Sequence, residues 1–303
     1  AFKISEELND LVPLFFSSGW LGLALSNNCE FEKGLYYLEK TVDINVAANN
    51  LWGISTMKSC VSLYSYYISG RINLGYQTSY DATQLAEESG DIFSKAIAYI
   101  SPGISCYGNG FFEEATECIL KGADFCEKIN LLQWNGIAQF NLGEIFFDIG
   151  EYKKSDEHYG KAVWLFGQNR SSPSTANLAK LGLVRTKVKK AEKDVNLESI
   201  YENEYESNYN IHEGWKARYL SEILLHINDQ HLFHSEDWIK NAIEADKRNG
   251  MMFHLGKNYA LYSALFKRKG DLSRAKENLI KAIEIFKECG ADGWVEKYEK
   301  ELV

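Results

Sequence analysis

The sequence predicts an all-α solenoid of about seven antiparallel helix hairpins. Three observations carry this reading: a pattern that returns about every forty residues, a small–large–small alternation on one helical face within each return, and only three prolines in 303 residues, which leave no obvious linker. A chain of this size exceeds what one compact core accommodates, so it forms either two domains or an array whose core grows along its length. With 45% hydrophobic residues and no Ser/Gly-rich run, one continuous body over 1–303 is expected.

The return is clearest in four segments, Ser26 to Val42, Gly108 to Phe125, Asp148 to Phe166 and Lys267 to Phe286. In each, a helix-length run ends in a polar turn and a second helix opens on a small residue. Along the whole chain that small position falls at Gly34, Gly75, Ala115, Ser155, Asp194, Ser235 and Ala275, with successive differences of 41, 40, 40, 39, 41 and 40. Four residues later stand Leu38, Ser79, Ile119, Tyr159, Glu198, Ile239 and Leu279, and three later again Thr41, Ala82, Gly122, Ala162, Tyr201, Ala242 and Ala282. Small residues let two backbones approach while the large one fills the neighbouring groove. First helices carry a small or apolar residue at Gly22, Leu63, Gly103, Gly143, Gly182, Ile223 and Ser263. The hairpins are therefore predicted at about 11–48, 50–89, 91–129, 131–168, 173–206, 211–249 and 251–289, with a capping helix over 291–303.

Repeat five departs from the pattern, because Arg185, Asp194 and Glu198 stand where apolar or small residues belong. Periodicity survives in Leu178 to Val184 and in Leu197 to Tyr205, so two helices are still expected. Pro13 and Pro173 lie near helix starts, where a missing N–H costs little. Pro102 should kink the first helix of repeat three or move its start to about Ser101.

The four clearest segments resemble the turn and second helix of a tetratricopeptide repeat. That resemblance implies a right-handed superhelix with a concave face lined by first helices. A period near forty exceeds the family's usual 34 and implies longer helices or longer loops. Long repeats of this kind resemble the carboxy-terminal arrays of bacterial signalling ATPases, cyclases and transcription regulators, and the run from Ala282 to Leu302 resembles the way such arrays end. The start at Ala1, without an initiator Met, reads as a processed chain or a piece of a larger protein.

On the concave face implied by the resemblance, the candidates are Met57, Tyr64 and Tyr67 of repeat two, Ile97 and Tyr107 of repeat three, and Phe140, Glu144 and Phe147 of repeat four. Such a groove suits an amphipathic helix, an extended apolar peptide or a small apolar ligand, with the Tyr hydroxyls and Glu144 setting orientation. The competing reading is that a tightly wound solenoid fills its concave side with these same side chains. A basic clamp for a peptide carboxylate has only Lys257, Lys267 and Arg268 to offer, all in the last repeat. Trp134, Trp215, His254 and Trp294 recur near repeat starts and read as structural staples.

Other classes find less support. A net charge of -9 would repel a phosphate backbone, and no dense Lys/Arg stripe offsets it, so no nucleic acid is expected. No apolar run reaches the ~18 residues of a membrane span. Six cysteines without a CxxC pair read as reduced, mostly buried thiols in a cytoplasmic protein. His226, Asp229, His231 and His234 are the nearest approach to a metal-dependent hydrolase, but no two histidines stand one helical turn apart on one helix, and a solvated loop explains them better. No phosphate loop, catalytic set, metal site or cofactor is expected. The expectation is a non-catalytic interaction or regulatory module that binds a protein or peptide segment, a small-molecule effector domain being the alternative and self-association left open.

Overall fold

The computed structural model describes residues 2–7, 10–169, 172–191 and 209–302, and among them every regular element is helical. A short helix α1 (Phe2–Glu7) precedes the pair α2 (Leu11–Asn27) and α3 (Phe31–Ala47). Helix α4 (Leu51–Cys60) runs on as a π-helical segment, Val61–Tyr67, and pairs with α5 (Ile72–Ser89). Then come α6 (Ile92–Asn109) with α7 (Phe112–Lys128), α8 (Leu132–Asp148) with α9 (Tyr152–Asn169), and α10 (Pro173–Lys189). Past Tyr209 follow α11 (Glu213–Ile227) with α12 (Leu232–Asn249), α13 (Met252–Lys269) with α14 (Leu272–Cys289), and the closing α15 (Asp292–Glu299). The second helix expected for repeat five and the acidic run from Glu198 to Glu206 lie outside the described residues.

The chain reverses about every twenty residues, and nearly every reversal is marked by a residue with positive φ. These are Cys29, Asn49, Gly70, Gly90, Gly110, Asn130 and Gly150, then Ala191, Gly250, Gly270 and Gly290. At Gly110, φ is 85°, and the cap closes with the Gly110 N–H on Tyr107 O at 3.0 Å and the Phe111 N–H on Cys106 O at 2.9 Å. A left-handed residue at this place satisfies the last carbonyls of a helix. With helices of 17–18 residues and turns of two or three, the period near forty comes from long helices, not from long loops.

Within a hairpin the small–large–small face does what its spacing implies. A Cβ added at Gly103 of α6 would stand 2.4 Å from Ile119 and 2.9 Å from the Ala115 carbonyl of α7, so the two backbones meet there. Pro102 neither delays the start of α6 nor interrupts it: the helix begins at Ile92, where Asp91 Oδ1 accepts the Ser94 N–H at 2.7 Å. The carbonyl that Pro102 deprives of an N–H is that of Ala98, and the Thr83 hydroxyl of α5 lies 2.8 Å from it and 2.9 Å from Ser79 O, sharing its one proton between the two. Pro173 opens α10, as expected.

The hairpins form a tetratricopeptide-like solenoid that curls until its end meets its beginning. Asn210 Nδ2 donates to Asn28 Oδ1 at 2.8 Å, across 182 positions. Trp294 of α15 is fully buried among Tyr107, Phe112, Phe253 and Phe286, and its indole N–H donates to Tyr107 O at 2.8 Å. Trp215 and His254 pack with ring centroids 4.3 Å apart. One apolar core consequently contains residues from Phe31 to Val295.

The histidine loop assembles no metal site. Asp229 pairs with Arg268 at 2.8 Å, the His231 and His234 rings are 6.4 Å apart, and among the described residues no group of three or more His, Cys, Asp or Glu side chains is placed to hold a metal ion. All six cysteines are free thiols, and no helix of the described residues is long and apolar enough to cross a membrane.

Candidate functional site

First helices face the superhelix axis, and where the curl leaves them apart a cavity of about 350 Å³ remains. One wall is the π-helical segment with Leu63, Tyr64 and Tyr67. A π turn holds an extra residue relative to α-helix and re-aims the side chains that follow it. The opposite wall is α8, which contributes Gln133, Ile137, Phe140 and Asn141. Trp20, Leu23 and Asn27 of α2, Ile104 of α6, and Tyr209, Ile211, His212 and Trp215 complete the lining.

Among the described residues the walls carry no Asp, Glu, Lys or Arg. His212, the remaining titratable imidazole there, is buried and accepts or donates at Ser174 Oγ, 2.7 Å from its Nδ1. Burial pulls its pKa down to about 4, so the ring is neutral at neutral pH. Buried Trp215 Nε1 and Tyr67 Oη have no hydrogen-bond partner among the described residues. Each is a donor with its bond still to make, in residues that line the cavity.

Of the expected concave residues, Tyr64, Tyr67 and Phe140 come together on this cavity. Met57 is half-buried against the α2–α3 hairpin, 3.7 Å from where a Gly19 Cβ would stand. Ile97, Tyr107, Glu144 and Phe147 do not line the cavity and are buried; for Tyr107, Glu144 and Phe147 the curl brings α10, α11, α13 and α15 against α6 and α8. Tyr107 donates to Asp148 Oδ2 at 2.6 Å and receives the Lys257 ammonium, and Phe147 lies 3.7 Å beneath the Arg185 guanidinium.

Glu144 in particular is committed to an internal cluster. It accepts hydrogen bonds from Arg185, Tyr159 and Tyr219, and Lys257 Nζ stands 3.7 Å from its second oxygen. Burial disfavours its charge, yet Arg185 and Lys257 outweigh that and hold the carboxyl below the ordinary carboxylate range. Asp148 is likewise penalised by burial and brought down to about 2 by Lys257 and Lys297. Lys257, a candidate for a basic clamp, is spent on this cluster, 2.8 Å from Asp148.

Gln133 was legible in principle, since it precedes Ile137 and Phe140 at helical spacing on the same stripe. Trp20, Asn27, Ile211 and His212 were not, because nothing local says that repeats one and six share a wall.

These features define a tetratricopeptide-like helical-repeat protein with an uncharged inner cavity that opens to solvent. No protein-family model matches the chain, and no curated protein matches it in sequence. Among solved structures it is similar to the apo form of RapI, at 16% identity and a TM-score of 0.64 over 90% of this chain and 99% of that one. It is also similar to a Rap protein complexed with Competence and Sporulation Factor, at 11% identity and a TM-score of 0.69 over 92% of this chain and 76% of that one. A third is the Rap conjugation gene regulator of the plasmid pLS20 in complex with the Phr* peptide, at 16% identity and a TM-score of 0.70 over 94% and 77%. At these identities the likeness is one of fold.

Proposed function

We propose that the chain is a non-catalytic regulatory binding protein that takes a short extended peptide on its inner side and seats apolar side chains of that peptide in the cavity. The observation that carries this reading is the lining itself: Tyr64, Phe140 and Trp215 supply apolar area, while the carboxamides of Asn27, Gln133 and Asn141 suit the N–H and C=O groups of a peptide main chain. A wall without charges favours uncharged side chains in the ligand. Two of the similar solved structures hold a partner, Competence and Sporulation Factor in one and the Phr* peptide in the other. The free thiols support a reducing compartment such as the cytoplasm.

The test is a screen of short synthetic peptides against the purified chain, followed by calorimetry on those that bind. Peptides with neighbouring large apolar residues are expected to bind, and Phe140→Ala or Tyr64→Ala to weaken them about tenfold or more. Binding of apolar small molecules with no peptide bound would replace this reading by an effector receptor. Peptide binding indifferent to both substitutions would remove the cavity from it.

A further inference from the structure

Helix α2 is packed with its faces reversed. LVPLFFSSGWLGLALSN contains no charged residue, yet the side it buries is mostly small and polar: Leu14, Ser18, Gly19, Gly22 and Ser26. The reason is the close approach to α3, where a Cβ added at Gly34 would stand 3.0 Å from Gly22 O, and where Ser18 Oγ donates to Tyr37 O at 2.8 Å. Four bulky residues are left outside. Val12, Phe16 and Trp20 are 65%, 54% and 68% exposed, and Leu11 beside them is similarly open. Spaced four apart, the three form a single row along the helix.

We propose that this row is the dimer interface of the protein, occupied by α2 of a second copy running antiparallel about a two-fold axis at Phe16. The row is self-complementary in that arrangement. Phe16 meets its equivalent, and small Val12 faces large Trp20 of the other copy at both ends, which is how an isologous contact fills space. An uncharged helix brings no like charges together across the axis, although each copy carries a net charge of -9 elsewhere. Leu11, Val12, Phe16 and Trp20 are 55%, 65%, 54% and 68% exposed, so burying them on both copies removes at most about 1,000 Å², the small end of biological interfaces and in keeping with a weak, reversible dimer. A membrane surface suits the helix less, since no Lys or Arg flanks the apolar row.

Trp20 also lines the inner cavity, so this inference shares that residue with the peptide reading without resting on it, and it is tested by sedimentation velocity of the peptide-free chain over a range of concentrations. The wild-type chain is expected to dimerise reversibly, more tightly as salt screens the repulsion between two acidic copies, and Phe16→Glu to be monomeric with an unchanged far-ultraviolet circular dichroism spectrum and a melt that no longer depends on concentration. Thiol pairing gives a second readout if that variant folds poorly. Under mild oxidation Phe16→Cys should yield a disulfide-linked dimer above the wild-type background. Val12→Cys alone should not, because eight residues of helix separate the two sites by about 12 Å, beyond the ~7 Å a disulfide tolerates. Val12→Cys mixed with Trp20→Cys should link again. A wild-type chain that stays monomeric throughout, or a dimer that survives Phe16→Glu and links none of these thiols, overturns the proposal.

Discussion

Arg185 and Glu144, 41 positions apart in sequence, form an ion pair in which both side chains are almost wholly buried. Arg185 occupies the place in α10 where the repeat pattern asks for an apolar residue. Its guanidinium lies on the rings of Phe147 and Tyr219, at 3.7 and 3.9 Å, and reaches Glu222 at 3.2 Å. Burying a charge is costly unless it is paired, so neither residue tolerates loss of the other.

Replacing Arg185 alone therefore leaves Glu144 charged and uncompensated, with Lys257 as its remaining cation. Arg185→Met is expected to destabilise the chain by about 3–5 kcal/mol in urea unfolding, whereas Arg185→Met combined with Glu144→Leu should recover most of that. Equal losses in the single and double variants would show that the pair acts only as packing.

Asp246 makes stability depend on pH in the direction opposite to most carboxylates. Burial raises its pKa from 3.8 to about 7, against the pull of Arg218 and a hydrogen bond from Asn258 Nδ2 at 2.7 Å. The folded chain binds more protons than the unfolded one between about 4 and 7, so this contribution is present at the acid end and lost as pH rises to about 7. His212 acts with the opposite sign: its pKa falls from 6.5 to about 4, and its contribution is lost as pH falls through that window. Asp246→Asn keeps the neutral form at all pH values and should raise the urea midpoint more at about pH 8 than at about pH 5. The same gain at both would contradict a buried, titrating carboxyl.

The Thr83 hydroxyl stands in for the N–H that Pro102 lacks. Thr83→Val strands the Ala98 carbonyl and is expected to cost about 1–2 kcal/mol. In a Pro102→Ala background, where a main-chain N–H serves that carbonyl, the same change should cost much less. A double-mutant cycle read by thermal or urea unfolding measures the difference, and additive losses would detach Thr83 from the proline.

Gly103→Ala tests the backbone contact between α6 and α7. Its Cβ would meet the Ala115 carbonyl, which cannot rotate away, so a loss of about 1–3 kcal/mol is expected despite the better helix propensity of Ala. Gly160→Ala in α9, with nothing within 4 Å of its Cβ, should be neutral or stabilising and serves as the control.

The hairpin order was legible because its determinants are local. Gly103, Ala115, Ile119 and Gly122 lie within twenty residues, and their spacing alone specifies which faces meet. The positive-φ caps recur on the same scale. The site was legible only in part. Tyr64, Tyr67 and Phe140 line the inner cavity, whereas Met57, Ile97, Tyr107, Glu144 and Phe147, read from the same helical spacing, do not.

What separates those two groups is how far the superhelix curls. Each hairpin turns a little relative to the one before, and the sum over the array decides whether the inner face stays open or closes. Closure rests on contacts such as Asn28 with Asn210 and Lys257 with Asp148, at separations of 182 and 109 positions. The sequence by itself determined a continuous array of long helix hairpins, since helix period, caps and small-residue contacts are short-range. Only the tertiary structure decided that Arg185 belongs in the core, that Tyr107 is covered by Trp294, and that a neutral cavity of about 350 Å³ survives beside Phe140. Those outcomes depend on side chains from distant repeats meeting at one axis, which no local pattern records.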